Sequence, residues 1–588
     1  MWSHLNLFSR FNRANGNNYF SFMLIKNIFK IRSNYILLLI ITFALFLRLT
    51  GVNWGLQHQN IPRYSTHFDE AFSVTCCKQI DINKLDINPE SAQVEGSLMY
   101  YLWYGNAFVL NQIGLLHKMP KQIISIDQNY ADFIFYSRLL IIFFDILSLL
   151  LIYCIVKKIS KNINASLIAA FIFAIIPFEI MHSNYMRIHI LLNTFLLLII
   201  YFSLFIYEKE NVSLFIKIGI ILGLCVATRY TFIIVILIPI LFFYYKKFLS
   251  LKRKTFYQII SIAFNYRLLI MLLFLIVGLF IGNPSWILDF NSVLNGIKYV
   301  NSTAISLNND FLVNITRITN YIFWIIPAGT FYLWILFYPT YIYSFFLKKY
   351  LKYVIPLSIF AIVYFIPMAL YYSIFAIRVA LPLFPIFTIV SGIVIAHILQ
   401  RFSANKIILY PFITIMGFIV ISTAAFSSSV VKAMGNITND PYIQLSEYFQ
   451  NKTNKKELKI VVIAPVMEQF ILPNLYYIFN AIPEKKIKMF DGNYEKYYLN
   501  KTYNSIVNYN ALENDSVDYV VFCNIDYSSN DNIRNVIGKL TKNNDFVFEK
   551  QFKNEICLKN IYYNYTTNAP HDFRYPFQIF YLLKQNRH

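Results

Sequence analysis

Charge is what this sequence has least of. Asp, Glu, Lys and Arg make up 14% of its 588 residues while 57% are hydrophobic, and a soluble domain carries about a quarter charged residues. That scarcity excludes an ordinary water-facing surface. Acidic groups are scarcer still, 30 against 52 basic, for a formal charge of +22. Other absences narrow the chemistry. No Asp-x-Asp pair and no glycine-rich phosphate loop is present, which removes the usual means of holding a nucleotide. No His and Cys residues stand at metal-ligand spacing, so no metal and no cofactor is implied. No repeat of fixed period runs through the chain, and the enrichment in Asn, Lys, Tyr and Phe is a compositional bias without function.

What is present is a series of long apolar runs. About eleven stretches of roughly 17 to 25 residues, each enough to cross about 30 Å of hydrocarbon as a helix, are centred near 34–50, 134–156, 164–181, 189–206, 213–228, 231–245, 267–283, 321–346, 353–372, 379–399 and 407–427. The expected fold is therefore mainly α, a polytopic transmembrane helical bundle. The first run, from Tyr35, continues for a full span without a small-residue cleavage pattern, so it is expected to be the targeting signal itself.

The basic residues fall in alternate loops. Lys157, Lys158 and Lys161 follow the second run, Lys246, Lys247, Lys252, Arg253, Lys254 and Arg267 surround the sixth-to-seventh connection, and Lys348, Lys349 and Lys352 follow the eighth. Arg401 and Lys406 follow the tenth, and the N-terminal Arg10, Arg13, Lys26, Lys30 and Arg32 have the same parity. Lys and Arg are retained on the cytoplasmic side, so one orientation satisfies every cluster: N-terminus in, C-terminus out. The positive charge is then topology signal, and nucleic acid is not an expected partner.

Three regions are left on the extracytoplasmic side. Residues 51–133 form a long first outer loop whose apolar stretch Gly96–Tyr104 reads as a helix on the membrane surface. Residues 284–320 form a second outer region, opened by Asn283-Pro284 and long enough to be a lid. Residues 429–588 alternate β-like runs, Leu458–Ala464 and Val517–Phe522, with polar segments and are expected to fold as a small extracytoplasmic α/β C-terminal domain. The chain thus divides into a cytoplasmic basic N-terminus (1–33), a transmembrane domain (34–428) and that tail. Of the six cysteines, Cys76 and Cys77 are adjacent in the first outer loop, and Cys523 and Cys557 stand in the tail, where their pairing is open.

With the basic loops explained, the polar residues remaining on the outer side are few: Asp69, Glu70, Glu95, His182, Arg187, His189, Arg229, Asp289 and Arg378. Asp69-Glu70 places two adjacent carboxylates beside the membrane, fit for proton transfer, or for a solvated loop pair or helix cap. Arg378 runs against the positive-inside bias and needs a partner, either an anionic lipid head group, whose phosphate a guanidinium engages with two hydrogen bonds, or Asp289. Arg187 and Arg229 are weaker candidates of the same kind. A base beside cations that hold a phosphate leaving group is the equipment for glycosyl transfer from a lipid phosphate.

At these residues the chain resembles the GT-C membrane glycosyltransferases of the protein O-mannosyltransferase and aminoarabinose-transferase type. His67-Phe68-Asp69-Glu70 is similar to that family's His-Pro-Asp-Glu, and Tyr136-Ser137-Arg138 with Tyr153 to its second span. Gly223-Leu224 through Thr228-Arg229-Tyr230 is similar to its Gly-Leu…Thr-Lys-Tyr segment, Asn283-Pro284 to its Asn-Pro turn, and Arg378…Pro382…Pro385 to its late Arg-Tyr…Pro element. The resemblance covers about 34–427 and implies a polyprenyl-phosphate sugar donor, an inverting transfer on the extracytoplasmic face, Asp69 as base with Glu70 beside it, and Arg378, aided by Arg187 and Arg229, near the lipid phosphate. His67, His189 and Glu95 are further outer-face candidates.

Two departures stand out. Phe68 replaces the proline, and His189 stands two residues after Arg187 where the pattern has a second carboxylate. The Trp-Trp-Asp signature of oligosaccharyltransferases is missing. The acceptor, whether protein, lipid or glycan, is not legible, and a bacterial plasma membrane is the expected location. The competing readings are a transporter or flippase, for which paired interrupted helices would be expected, and a polysaccharide polymerase or ligase, for which a late large outer loop would be.

Overall fold

The computed structural model describes residues 18–56, most of 68–123, 128–250, 265–304, 311–371 and 377–435, and in the tail five strands with a few further residues. Among the described residues, seven helices are long and apolar enough to cross a membrane, including Asn129–Ser160, Leu351–Leu370, Leu383–Arg401 and Lys406–Gly435, and the helix pair Ile163–Ala174 and Pro177–Ser183, bent by 63°, is apolar enough when taken together. Pro177 starts the second half of that pair, where its missing N–H and fixed φ cost least. Three shorter apolar helices, His189–Phe205, Val212–Thr228 and Tyr266–Gly282, complete the eleven expected segments. The expected 321–346 run is longer than the hydropathy indicates. It extends back to Leu312 as one span, through a π-helical turn at Tyr321–Ile325 and a 3-10 turn at Phe331–Leu333.

Helix starts are set by asparagines at one end of the bundle. Asn162, Asn211 and Asn265 have extended backbones and side chains that accept from the N–H groups of Asn164, Ser213 and Arg267, satisfying donors that would otherwise be orphaned. The basic loops gather here. Lys158 bonds Glu208 at 2.6 Å, Tyr207 donates to the Lys352 carbonyl at 2.6 Å, and Glu210 holds Lys246, Lys247 and Arg267 at 3.2, 2.9 and 3.1 Å. Partial burial works to raise Glu210, but the hydrogen bonds from Lys247 and Lys246 outweigh it and hold the carboxyl below its usual range. Loops of the same parity therefore meet, as the charge pattern requires.

One helix contact is exceptionally close. Val212–Thr228 lies against Tyr266–Gly282 with Gly219 and Gly223 facing Met271 and Leu275, and Gly278 facing Ile220; a Cβ on Gly223 would stand 2.1 Å from the Leu275 carbonyl oxygen. Helices in lipid gain nothing from burying one apolar face on another, so close backbone approach through small residues drives such contacts.

The tail contains a mixed sheet of order β2-β1-β3-β5-β4: β1 Glu457–Ile463, β2 Lys486–Lys488, β3 Tyr519–Cys523, β4 Phe546–Phe552 and β5 Phe580–Gln585. β1 runs parallel to β2 and β3, and β5 antiparallel to β3 and β4. β1 and β3 fall on the two runs read from the sequence. Cys557 lies outside the described residues.

Candidate active site

The helix Phe68–Gln79 opens with the Asp69-Glu70 pair. His67 and the Asp69 side chain lie outside the described residues. Glu70 is fully buried, and its two oxygens take the Arg138 guanidinium from both sides: Nε to Oε1 at 2.8 Å and Nη2 to Oε2 at 2.6 Å. Oε1 also accepts from the Met186 backbone N–H at 2.6 Å. The remaining guanidinium nitrogen of Arg138 donates to the carbonyls of Val52 and Trp54 at 2.7 and 2.6 Å, and Ser73 donates to the Met186 carbonyl at 3.2 Å. One bidentate pair thus ties four segments: the end of the first span, the Asp69 helix, the long helix Gln128–Ser160 and the turn at Met186. Glu70 is an anchor, with both of its oxygens engaged.

A second network joins the first outer loop to the segments around Arg229 and Asn283. Arg187 bonds Glu95 at 3.1 Å, Tyr230 donates its N–H to the Glu95 carbonyl at 3.3 Å, and the Tyr230 hydroxyl donates to Gln93 at 3.0 Å. Asn283 donates to the Tyr230 hydroxyl and to Gln93 at 2.9 and 3.2 Å. Asn88 accepts from Ser285 at 2.9 Å and donates to Asp289 at 2.8 Å. Asp289 therefore works within this network. Gly96 makes the contact fit: its φ is +139° and a Cβ there would meet the Ala227 carbonyl oxygen at 2.4 Å, so only glycine passes. Beside it, burial pushes the Cys76 thiol up, with Glu95 adding to the effect, and burial does the same to Cys77; both thiols are held protonated and are poor nucleophiles.

Two of the three arginines singled out from the sequence line one small cleft whose walls include His189, Asn193, Arg229, Tyr364, Arg378 and Pro382. Arg229 ends the helix Val212–Thr228 in an extended conformation, which turns the chain toward the cleft. Arg378 lies in the short 3-10 turn Ile377–Val379, between the helices Leu351–Tyr371 and Leu383–Arg401. Arg187, Arg229, Arg378 and His182 all act electrostatically on His189. So of the expected cationic set, Arg229 and Arg378 line the cleft together with His189, and Arg187 is paired with Glu95.

Sequence reasoning missed a group of charges buried inside the spans. Arg48 pairs with Asp145, both fully buried, and donates to the carbonyls of Ala44 and Ala174 at 3.2 and 3.1 Å. Glu179, also fully buried, accepts from Asn193 at 2.8 Å. The signal was available: an Asp at the centre of Leu140–Leu151 and a Glu after Pro177 are expensive in lipid unless satisfied. Among the described residues, no three His, Cys, Asp or Glu stand close enough to hold a metal ion.

Residues 132–280 match the family model for dolichyl-phosphate-mannose-protein mannosyltransferase. No curated protein matches the chain. Among solved structures, the archaeal oligosaccharyltransferase AglB from Archaeoglobus fulgidus, in complex with an inhibitory peptide and a dolichol-phosphate, is similar at 13% identity and a TM-score of 0.48, over 85% of this chain and 70% of that one. ArnT from Cupriavidus metallidurans, bound to undecaprenyl phosphate, is similar at 9% identity and a TM-score of 0.47, over 93% and 97%. The Saccharomyces cerevisiae protein O-mannosyltransferase Pmt1-Pmt2 complex, bound to the sugar donor, is similar at 16% identity and a TM-score of 0.31, over 45% and 34%. The matched residues 132–280, about a quarter of the chain, run from the Arg138 helix through His189, Asn193 and Arg229 to the Gly278 contact, and over them the chain is similar to the dolichyl-phosphate-mannose-protein mannosyltransferase family.

Proposed function

We propose that the protein transfers one sugar from a polyprenyl-phosphate donor to an acceptor on the extracytoplasmic face of a bacterial plasma membrane. The observation that carries this reading is the convergence of Arg229 and Arg378, far apart in sequence, on one cleft at the ends of their helices. Two guanidiniums lining one cleft suit a phosphodiester, whose oxygens accept from both and whose lipid tail would lie in the surrounding bilayer. The family match over 132–280 supports the same donor class.

In this mechanism Asp69 removes the proton from the acceptor nucleophile as it attacks the anomeric carbon. The carbon–oxygen bond to the phosphate breaks on the opposite side of the sugar, so configuration inverts, and the leaving phosphate takes the bonding pair. Arg378 and Arg229 stabilise the charge that develops there, which is where fixed donors contribute most. Glu70 and Arg138 keep the Asp69 helix in register, and Arg187 with Glu95 fixes the first outer loop against Tyr230. The tail from 429 onward is an extracytoplasmic domain appended to this machinery, and the basic loops lie in the cytoplasm.

Membranes containing the protein should consume a polyprenyl-phosphate sugar, and Asp69→Asn should abolish consumption by at least about a hundredfold while the purified variant still binds polyprenyl phosphate. Undiminished turnover by Asp69→Asn would remove Asp69 from the chemistry.

A further inference from the structure

The arginines of the cleft are donors and suit a phosphate, whose oxygens only accept. On the opposite account stand two buried groups of the helix His189–Phe205. His189 and Asn193 are one turn apart, so they share a helical face, and both line the cleft with Arg229 and Arg378. They are 5% and 1% exposed. The His189 Nε2 and the Asn193 Oδ1 have no hydrogen-bond partner.

Glu179 decides which end of the Asn193 amide is offered. Its Oε1 takes the Asn193 Nδ2 at 2.8 Å, which leaves the amide oxygen as the unpaired end. That oxygen cannot bind phosphate. It takes a donor, and a sugar hydroxyl is one.

We propose that Asn193 is the sugar-reading residue of the donor cleft, its carbonyl oxygen accepting from a hydroxyl of the hexose attached to the lipid phosphate, with His189 Nε2 as a second contact and Glu179 as the positioning residue that fixes the amide. This inference rests on the donor reading above and deepens it: phosphate affinity comes from the arginines and discrimination for the sugar from the apolar-embedded Asn193. A buried polar atom left unpaired is costly, so a donor that satisfies it is favoured over one that does not.

The test measures binding of two probes to the purified full chain: a short-chain polyprenyl phosphate, and the same lipid carrying a hexose, as the mannosyl and glucosyl phosphates. Wild type is expected to bind at least one glycosylated lipid about tenfold more tightly than the bare phosphate. Asn193→Ala and the bulkier Asn193→Leu should bring the two affinities together while leaving the bare-phosphate affinity unchanged, which also shows that the variants are folded. Glu179→Gln, free to pair with either end of the amide, should reduce the preference in the same direction. A preference that survives in both Asn193 variants, or loss of both lipids in both, overturns the assignment. Failure of wild type to bind the bare phosphate would instead overturn the donor reading itself, so the two failures are distinguishable.

Discussion

Glu70, one of two adjacent carboxylates in the sequence, is taken up by structure. The sequence presents them as equals; the structure commits both oxygens of Glu70 to Arg138 and Met186. Removing one partner of a fully buried pair leaves the other charge stranded, at a cost of about 3–5 kcal/mol. Arg138→Leu should therefore lower the melting temperature of the purified protein markedly, whereas Asp69→Asn should leave it near wild type; equal melting temperatures for Arg138→Leu and wild type would refute the anchor. Arg138 was visible in the sequence only as part of the Tyr136-Ser137-Arg138 resemblance, because nothing in one dimension tells which carboxylate a guanidinium meets. Arg378 and Arg229 were legible for the opposite reason: an arginine at the wrong end of a span is anomalous on its own.

A pH prediction belongs to this scale too. Glu210 is held below the usual carboxylate range by Lys247 and Lys246. A depressed folded pKa contributes stability that is fully present above the unfolded value and lost as pH falls through the folded one. Thermal stability of wild type should exceed that of Glu210→Gln at pH 7, and the difference should shrink below about pH 4.3, the ordinary glutamate value. A difference that does not change with pH would assign the effect to packing.

At the scale of elements, the eleven apolar segments were legible because hydrocarbon thickness sets a length that hydropathy reports directly. Their internal geometry was not. The 63° bend before Pro177 and the π-helical turn at Tyr321–Ile325 depend on what packs around them, and the hydropathy window passes over both. The glycines of Val212–Thr228 are a similar case: Gly223-Leu224 was noticed as a resemblance, while its physical role is to let the Tyr266–Gly282 backbone approach. Gly223→Leu must push those helices apart. The displacement reaches Arg229 at the helix end, so this variant should lose stability and polyprenyl-phosphate affinity together. Retained affinity in a destabilised variant would show that Arg229 does not depend on that contact.

For the molecule as a whole, the charge pattern and the structure agree on parity: Lys158, Lys246, Lys247, Arg267 and Lys352 meet at one end. The buried acids Asp145 and Glu179 lie inside apolar runs that hydropathy averages over, although their burial cost makes them as informative as any loop residue. Together these features describe a bundle with a basic end, a buried polar seam and a cleft lined by two arginines.

The most direct test of that account is the thermal stability of the purified, detergent-solubilised protein with and without a short-chain polyprenyl phosphate, beside Arg378→Ala. A ligand that binds only the folded state stabilises it, by about 2.7 kcal/mol at a hundredfold excess over its dissociation constant. The account predicts a clear upward shift for wild type and none for Arg378→Ala. A well-folded wild type that does not shift, or an Arg378→Ala variant that shifts equally, would contradict it.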